Sequence, residues 1–176
     1  MLFRSDLSPL DASQRAWLDA IRSSGDSLLV LINDLLDFSK IEAGKLELEC
    51  RPFDLRRELT SIVDLYRPMI EDKALELKVV IDTALPGLVA GDSARLRQVI
   101  SNLLSNALKF THSGSIALTV LAGAPASSAG VALDVTIRDT GIGIPADRLE
   151  RLFKVFTQVD TSTTRLYGGT GLGLVI

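Results

Sequence analysis

Cysteine is almost absent. Cys50 stands alone, so no internal disulfide framework can hold this chain together, and such usage suits a reducing cytoplasm. Histidine is equally scarce, with His112 the only one. There is no basic excess. The net charge of −3 argues against a nucleic-acid surface, which would show a clustered basic face. No apolar run approaches the ~18 residues that a membrane span needs. No charged region followed by an apolar stretch marks a signal peptide at Met1. These absences predict a soluble, cytoplasmic chain, with any membrane anchor of a parent protein outside this sequence. What is present is apolar material. Hydrophobic residues form 47% of 176 positions, enough for the core of one full domain with a flanking element.

The first third reads as one long helix, from about Pro9 to Ala43. Ser8 can cap it, and Pro9 suits a first-turn position. Leu18, Ile21, Gly25, Leu28, Ile32 and Leu35 follow alternating steps of three and four, which is a heptad seam. Leu29, Leu31, Leu36 and Phe38 add a second apolar side. A helix apolar on two sides needs more than one neighbour, which suits a four-helix bundle. An ordinary core helix is the alternative. Gly44 stops the helix.

After Gly44 the pattern changes. Lys45 to Glu49 alternates charge and leucine, which predicts a strand. Asp54 can cap a second helix over about Leu55 to Lys73. Leu75 to Ile81 predicts a strand ending in a Leu-Pro-Gly turn. Asp92 opens a third helix that runs to about Phe110. Ser115 to Leu121 and Val131 to Arg138 are β-branched strands, and Ala122 to Gly130 between them reads as a hairpin loop. Ala146 to Phe156 reads as a short helix, and Thr157 to Gly169 as a polar loop. The expected fold class is α+β: one long bundle helix, then an α/β sandwich with a mixed sheet and helices on one face. The chain stops at Ile176, just after a further helix begins, so the sandwich is expected to be incomplete at its C-terminus.

Three stretches carry the chemistry. The first is Asn102-Leu-Leu-Ser-Asn-Ala-Leu-Lys-Phe-Thr111. Spacings of four and three place Asn102, Asn106 and Lys109 on one helix face. An amide oxygen is a neutral hard donor suited to Mg²⁺, and a lysine is a point charge for phosphate. The second is Asp139-Thr-Gly-Ile-Gly-Ile144, at the end of an apolar strand. Its carboxylate can accept from the exocyclic amine of adenine, where guanine would show a carbonyl. Gly141 and Gly143 let backbone approach a flat ring. The third is Gly168-Gly-Thr-Gly-Leu-Gly-Leu174, whose amides can face phosphates. No Gly-Lys-Ser/Thr follows, so it is not a Walker loop. It comes last in the chain, so it is not a dinucleotide fingerprint either.

These three stretches, in this order, resemble the ATP-binding domain of sensor histidine kinases, within the group that includes the gyrase, Hsp90 and MutL ATPases. The resemblance implies ATP and Mg²⁺ as ligands. It assigns the metal to Asn106, phosphate contacts to Lys109, a supporting polar role to Asn102 and adenine recognition to Asp139. Phe110, Gly141, Gly143, Gly169, Thr170, Gly171, Leu172 and Gly173 complete the implied ATP-binding set. Phe153 and Phe156 match two aromatics that anchor a lid, and Arg165 falls within that lid. Leu31 to Glu49 is similar to the exit of the second bundle helix in bacterial sensor kinases, often hybrid ones. The implied division is residues 1–44 for a partial dimerisation and phosphotransfer region, and 45–176 for a truncated ATP-binding domain.

The family's acceptor histidine lies in a His-Glu-Leu/Ile-Arg-Thr-Pro pattern, which does not occur here. His112 sits in the loop after the asparagine motif and has no acidic neighbour in sequence to activate it. The chain is therefore expected to be inactive alone. Its implied partners are a second copy or another histidine kinase through the bundle helix, and a response regulator or receiver domain in the intact system. A non-catalytic dimerising or regulatory nucleotide-binding module is the alternative. A self-contained ATPase of the gyrase or Hsp90 type is disfavoured. That group expects a glutamate base one turn before the metal asparagine, where this chain has Asn102.

Overall fold

A computed structural model describes residues 10–124 and 130–151. Helix α1 spans Ala12–Glu42. Its cap is Asp11 rather than Ser8, which, like Pro9, lies outside the described residues. Asp11 Oδ1 accepts from the Gln14 backbone N–H at 2.8 Å, and Gln14 Oε1 accepts from the Asp11 N–H at 3.0 Å. This reciprocal box satisfies two amide donors at the helix start. The exit is a Schellman turn at Gly44, where φ is +62°. There the Lys45 N–H donates to Lys40 O at 2.8 Å and the Gly44 N–H to Ile41 O at 3.0 Å.

The strand expected at Lys45 to Glu49 does not form. The Glu49 N–H donates instead to the Asp92 carboxylate at 3.1 Å. Strand β1 comes later, at Arg51–Asp54. Its partner, β3 at Leu88–Gly91, was not anticipated. They pair antiparallel, with Arg51 opposite Gly91 and Asp54 opposite Leu88. The ladder can begin only where β3 offers a partner, and that is Arg51. The result is a two-stranded sheet beside the main one.

The main sheet has the order β2-β4-β5, from Glu76–Ile81, Ser115–Ala122 and Leu133–Asp139. β2 runs parallel to β4, and β5 runs antiparallel to it, so the sheet is mixed as expected. The register sets three cross-strand rows: Leu77–Ile116–Asp139, Val79–Leu118–Ile137 and Ile81–Val120–Val135. Ile116, Leu118 and Val120 are buried while their neighbours along β4 are less so. One face is thus covered, by helix α2 at Leu55–Asp72 and helix α3 at Ser93–Phe110.

Both helices start where the sequence predicts. Asp54 accepts from the Arg57 N–H at 2.9 Å, and Asp92 accepts from the Arg95 N–H at 3.0 Å. Leu55, Leu59, Ile62 and Ile70 from α2 meet Ile100, Leu104 and Ala107 from α3 over the sheet. Three polar ties join the helices: Arg97 to Glu58 at 2.6 Å, the Tyr66 hydroxyl to Ser101 O at 3.1 Å, and Lys73 Nζ to Leu108 O at 2.7 Å. The partners ascend together along both chains, so α2 and α3 run parallel. The last tie also serves a carbonyl in the final turn of α3, where a cation is favoured. A 3₁₀ turn at Ala146–Arg151 takes the place of the start of the short helix expected to reach Phe156. The rest of that helix lies outside the described residues.

Candidate functional site

Arg95, Gln98, Asn102, Asn106 and Lys109 follow one another at steps of three and four along α3. They form a single polar stripe. The opposite stripe, Ile100, Leu104 and Ala107, is buried. Packing the apolar stripe on the sheet therefore turns the polar one outward. Asn102, Asn106 and Lys109 are half-buried. Burial pushes the Lys109 ammonium below the ordinary lysine range. Its Nζ stands 4.9 Å from the centre of the Phe110 ring. A bound anion would offset that desolvation.

Asp139 shares its row with Leu77 and Ile116, so it belongs to the helix-covered face. It nevertheless lies exposed, at the strand end. Its Oδ1 accepts from the Gly141 N–H at 2.8 Å, which folds the chain into a tight turn. That turn touches α3. The Ile142 N–H donates to the Phe110 carbonyl at 3.3 Å. A Cβ on Gly141 would collide with that same carbonyl oxygen and stand 2.8 Å from Asp139 Oδ1. Only glycine fits between them. Gly143 has φ +67° with open space around it.

Thr140 holds the turn in place from behind. Its Oγ1 accepts from the Ser115 N–H at 3.0 Å and donates to Ser113 O at 3.2 Å. Gly114, at φ +107°, leaves room for this hydroxyl, since any Cβ there would strike it. The structure therefore brings Lys109, Phe110, Asp139, Gly141 and Gly143 together at the C-terminal end of α3, with Asn106 and Asn102 one and two turns back. Gly169, Thr170, Gly171, Leu172 and Gly173 lie outside the described residues, as do Phe153, Phe156 and Arg165.

Two clefts lie away from this group. One of about 610 Å³ is lined by Arg56, Arg57, Thr60 and Asp64 among others. Another of about 280 Å³ is lined by Glu47, Glu49, Asp92 and Arg95 among others. A second polar centre went unread in the sequence. Asp37 of α1 is buried and receives a two-pronged contact from Arg95, one prong through Nη1 to Oδ2 and the other through Nη2 to Oδ1 at 2.8 Å. Gln98 Nε2 adds a hydrogen bond to Asp37 Oδ2 at 3.2 Å. The available signal was a carboxylate set inside the apolar run Leu35-Leu36-Asp37-Phe38.

Among the described residues, no group of three or more His, Cys, Asp and Glu could hold a metal. A magnesium ion at this site would be held by an amide and by the phosphates it accompanies, which agrees with the reluctance of Mg²⁺ to shed its waters. No helix among the described residues is long and apolar enough to cross a membrane.

Comparison with known proteins places the chain in a family. Residues 91–176 match the family of histidine kinase-, DNA gyrase B- and HSP90-like ATPases, and residues 1–44 match the His Kinase A (phospho-acceptor) domain. Signal transduction histidine-protein kinase BarA of Escherichia coli (strain K12) is 48% identical over 100% of this chain and 19% of its own length. Sensor histidine kinase GacS of Pseudomonas protegens is 43% identical, again over 100% of this chain and 19% of its own length. Full-length ShkA, solved in complex with AMPPNP, superposes with a TM-score of 0.71 at 35% identity, covering 95% of this chain and 33% of that one. The chain belongs to the sensor histidine kinases, and it carries dimerisation-type and ATP-binding parts of one. It spans about 19% of the length of these curated relatives.

Proposed function

We propose that this chain is the nucleotide-holding part of a two-component kinase that phosphorylates histidine at the expense of ATP. ATP would lie between the C-terminal half of α3 and the Asp139–Gly143 turn. The observation that carries this reading is the hydrogen bond from the Ile142 N–H to the Phe110 carbonyl, with Gly141 fitted against the same carbonyl, which brings two motifs separated in sequence side by side. When bound, ATP supplies the phosphoryl group and Mg²⁺ neutralises phosphate charge, so the protein's share is positioning.

Asp139 accepts from the adenine amine, and Gly141 and Gly143 keep the approach to the ring open. Lys109 pairs with phosphate, Asn106 ligates Mg²⁺ through its amide oxygen, and Asn102 orients groups one turn away. Gly169, Gly171 and Gly173 are assigned backbone contacts to phosphate. Residues 1–44 would serve as a bundle element and 45–176 as the ATP-binding domain. Dimerisation through α1, a cytoplasmic setting and a response regulator or receiver domain as downstream partner belong to the same proposal. Residues 1–44 contain no histidine, so the acceptor is assigned to another helix.

Calorimetry with ATP and GTP tests the reading. ATP or ADP should bind more tightly than GTP. Asp139→Asn should weaken ATP binding by about 1–3 kcal/mol, the worth of a charged hydrogen bond. Equal affinity of the parent chain for ATP and GTP would remove the adenine assignment.

A further inference from the structure

We propose that Asp37, Arg95 and Gln98 form a latch that fixes how the sheet-and-helix domain is oriented on α1. Three observations meet here. The first concerns burial. Asp37 is the one buried residue among the described side chains of α1. Most apolar residues of the helix, such as Leu28 at 56% and Leu36 at 53%, remain exposed, and only Phe38 and Ile41 are half-buried. No apolar residue of α1 enters the core, so the one buried contact that can set its direction is polar.

The second is the quality of those contacts. Arg95 grips both carboxylate oxygens of Asp37, a geometry that fixes angle as well as distance. Gln98 spans the pair, donating to Asp37 Oδ2 at 3.2 Å while its own oxygen accepts from Arg95 Nη1 at 2.7 Å. The connecting segment is tied separately, by the Glu49 N–H on the Asp92 carboxylate at 3.1 Å. The Arg95 side chain is 30% exposed. Opening the latch would thus let it rehydrate without leaving an empty cavity, which makes the contact breakable in a way an apolar core is not.

The third is where the latch sits. Arg95 and Gln98 lie on the same stripe of α3 as Asn102, Asn106 and Lys109. Asn102 follows Arg95 by ~10 Å at the standard helical rise. Setting the angle of α1 at Asp37 sets the direction in which that whole stripe points. The proposal concerns the joint alone and stands whether or not the stripe binds a nucleotide.

The test is a distance measurement on the full 176-residue chain. Cys50→Ser removes the only thiol. Cysteines introduced at Arg22 on α1 and Lys78 on β2, both exposed, carry spin labels. Samples are diluted with unlabelled chain so that only distances within one molecule are read. The parent should give a narrow distance distribution. Asp37→Asn should broaden it, Gln98→Ala should broaden it less, and the exchange Asp37→Arg with Arg95→Asp should narrow it again. Circular dichroism confirms that each variant keeps its helices, and the double exchange serves as the folded reference if a single variant does not. A distribution that stays narrow in folded Asp37→Asn overturns the latch. So does a folded double exchange as broad as the single variants, since the contact would then carry no directional information.

Discussion

α1 leaves most of its apolar side chains exposed, with Phe38 and Ile41 half-buried, and buries a carboxylate. The domain that follows does the reverse: Leu55, Ile62, Ile100, Leu104 and Ile116 are fully or almost fully buried, while Asp139 and Asp134 face solvent. Two kinds of stability result. The domain closes its own core from α2, α3 and the mixed sheet, and each core side chain is held from several directions. α1 has caps at both ends and a seam of leucine and isoleucine, yet no partner for that seam among the described residues. A long amphipathic helix with this much exposed apolar surface is built to be covered. The difference fits the proposal that one region closes around its own core while the other pairs through α1.

The same substitution placed in each region should break that symmetry most visibly. Leu104→Ala, with its side chain at 1% exposure, should cost the domain about 2–5 kcal/mol in urea unfolding. Leu28→Ala should leave the domain within about 0.5 kcal/mol of the parent and instead weaken self-association in sedimentation experiments. A Leu28→Ala variant as destabilised as Leu104→Ala would mean that α1 shares the domain's core. Next in size is Gly141→Ala. The added methyl must displace the Phe110 carbonyl, so a stability loss of about 1–3 kcal/mol is expected, with a larger fall in ATP affinity than at an exposed glycine such as Gly87→Ala. Equal affinity in the two variants would detach the turn from the binding site.

The smallest effect separates two carboxylates on α1. Hydrogen bonds from Arg95 are the main reason Asp37 titrates below the ordinary aspartate range. Its stabilisation of the folded contact is present above that range and is lost only as pH falls through the depressed value. Asp34 is shifted up, first by burial and then by the charge of Asp37. Its protonated form favours the folded state, and that contribution fades as pH rises through the raised value. Carboxyl NMR titration should therefore give Asp37 the lower midpoint and Asp34 the higher. Asp37→Asn should bring the Asp34 midpoint down.

Much of this was legible because it is local. Asp54 and Asp92 announce helices that begin immediately after them, and β-branched runs announce β4 and β5. Asp139 ends a strand in sequence and in structure. The misplaced first strand shows where locality fails. Lys45 to Glu49 alternates as a strand should, but alternation cannot say whether a partner lies alongside. The partner, β3, is a four-residue segment that only the tertiary fold brings into register. Asp37 and Arg95 are 58 residues apart, and the carboxylate inside an apolar run does not say which distant cation it meets. The close fit of Gly141 under the Phe110 carbonyl is likewise a fact of two segments meeting; the sequence pointed instead to an approach to a flat ligand ring.

The ties between α2 and α3 have a mechanical consequence. Glu58–Arg97, Tyr66–Ser101 and Lys73–Leu108 are spread along nearly the whole of both helices. Neither helix can pivot or slide by itself without breaking a bond at one end. The pair behaves as a braced beam, and α3 of 18 residues carries a displacement along ~27 Å of rigid rod. A small rotation entering at Arg95 emerges at Lys109 as a sweep of the same angle, with α2 and the sheet carried along. Cutting the central brace with Tyr66→Phe would soften the beam without touching either end of it.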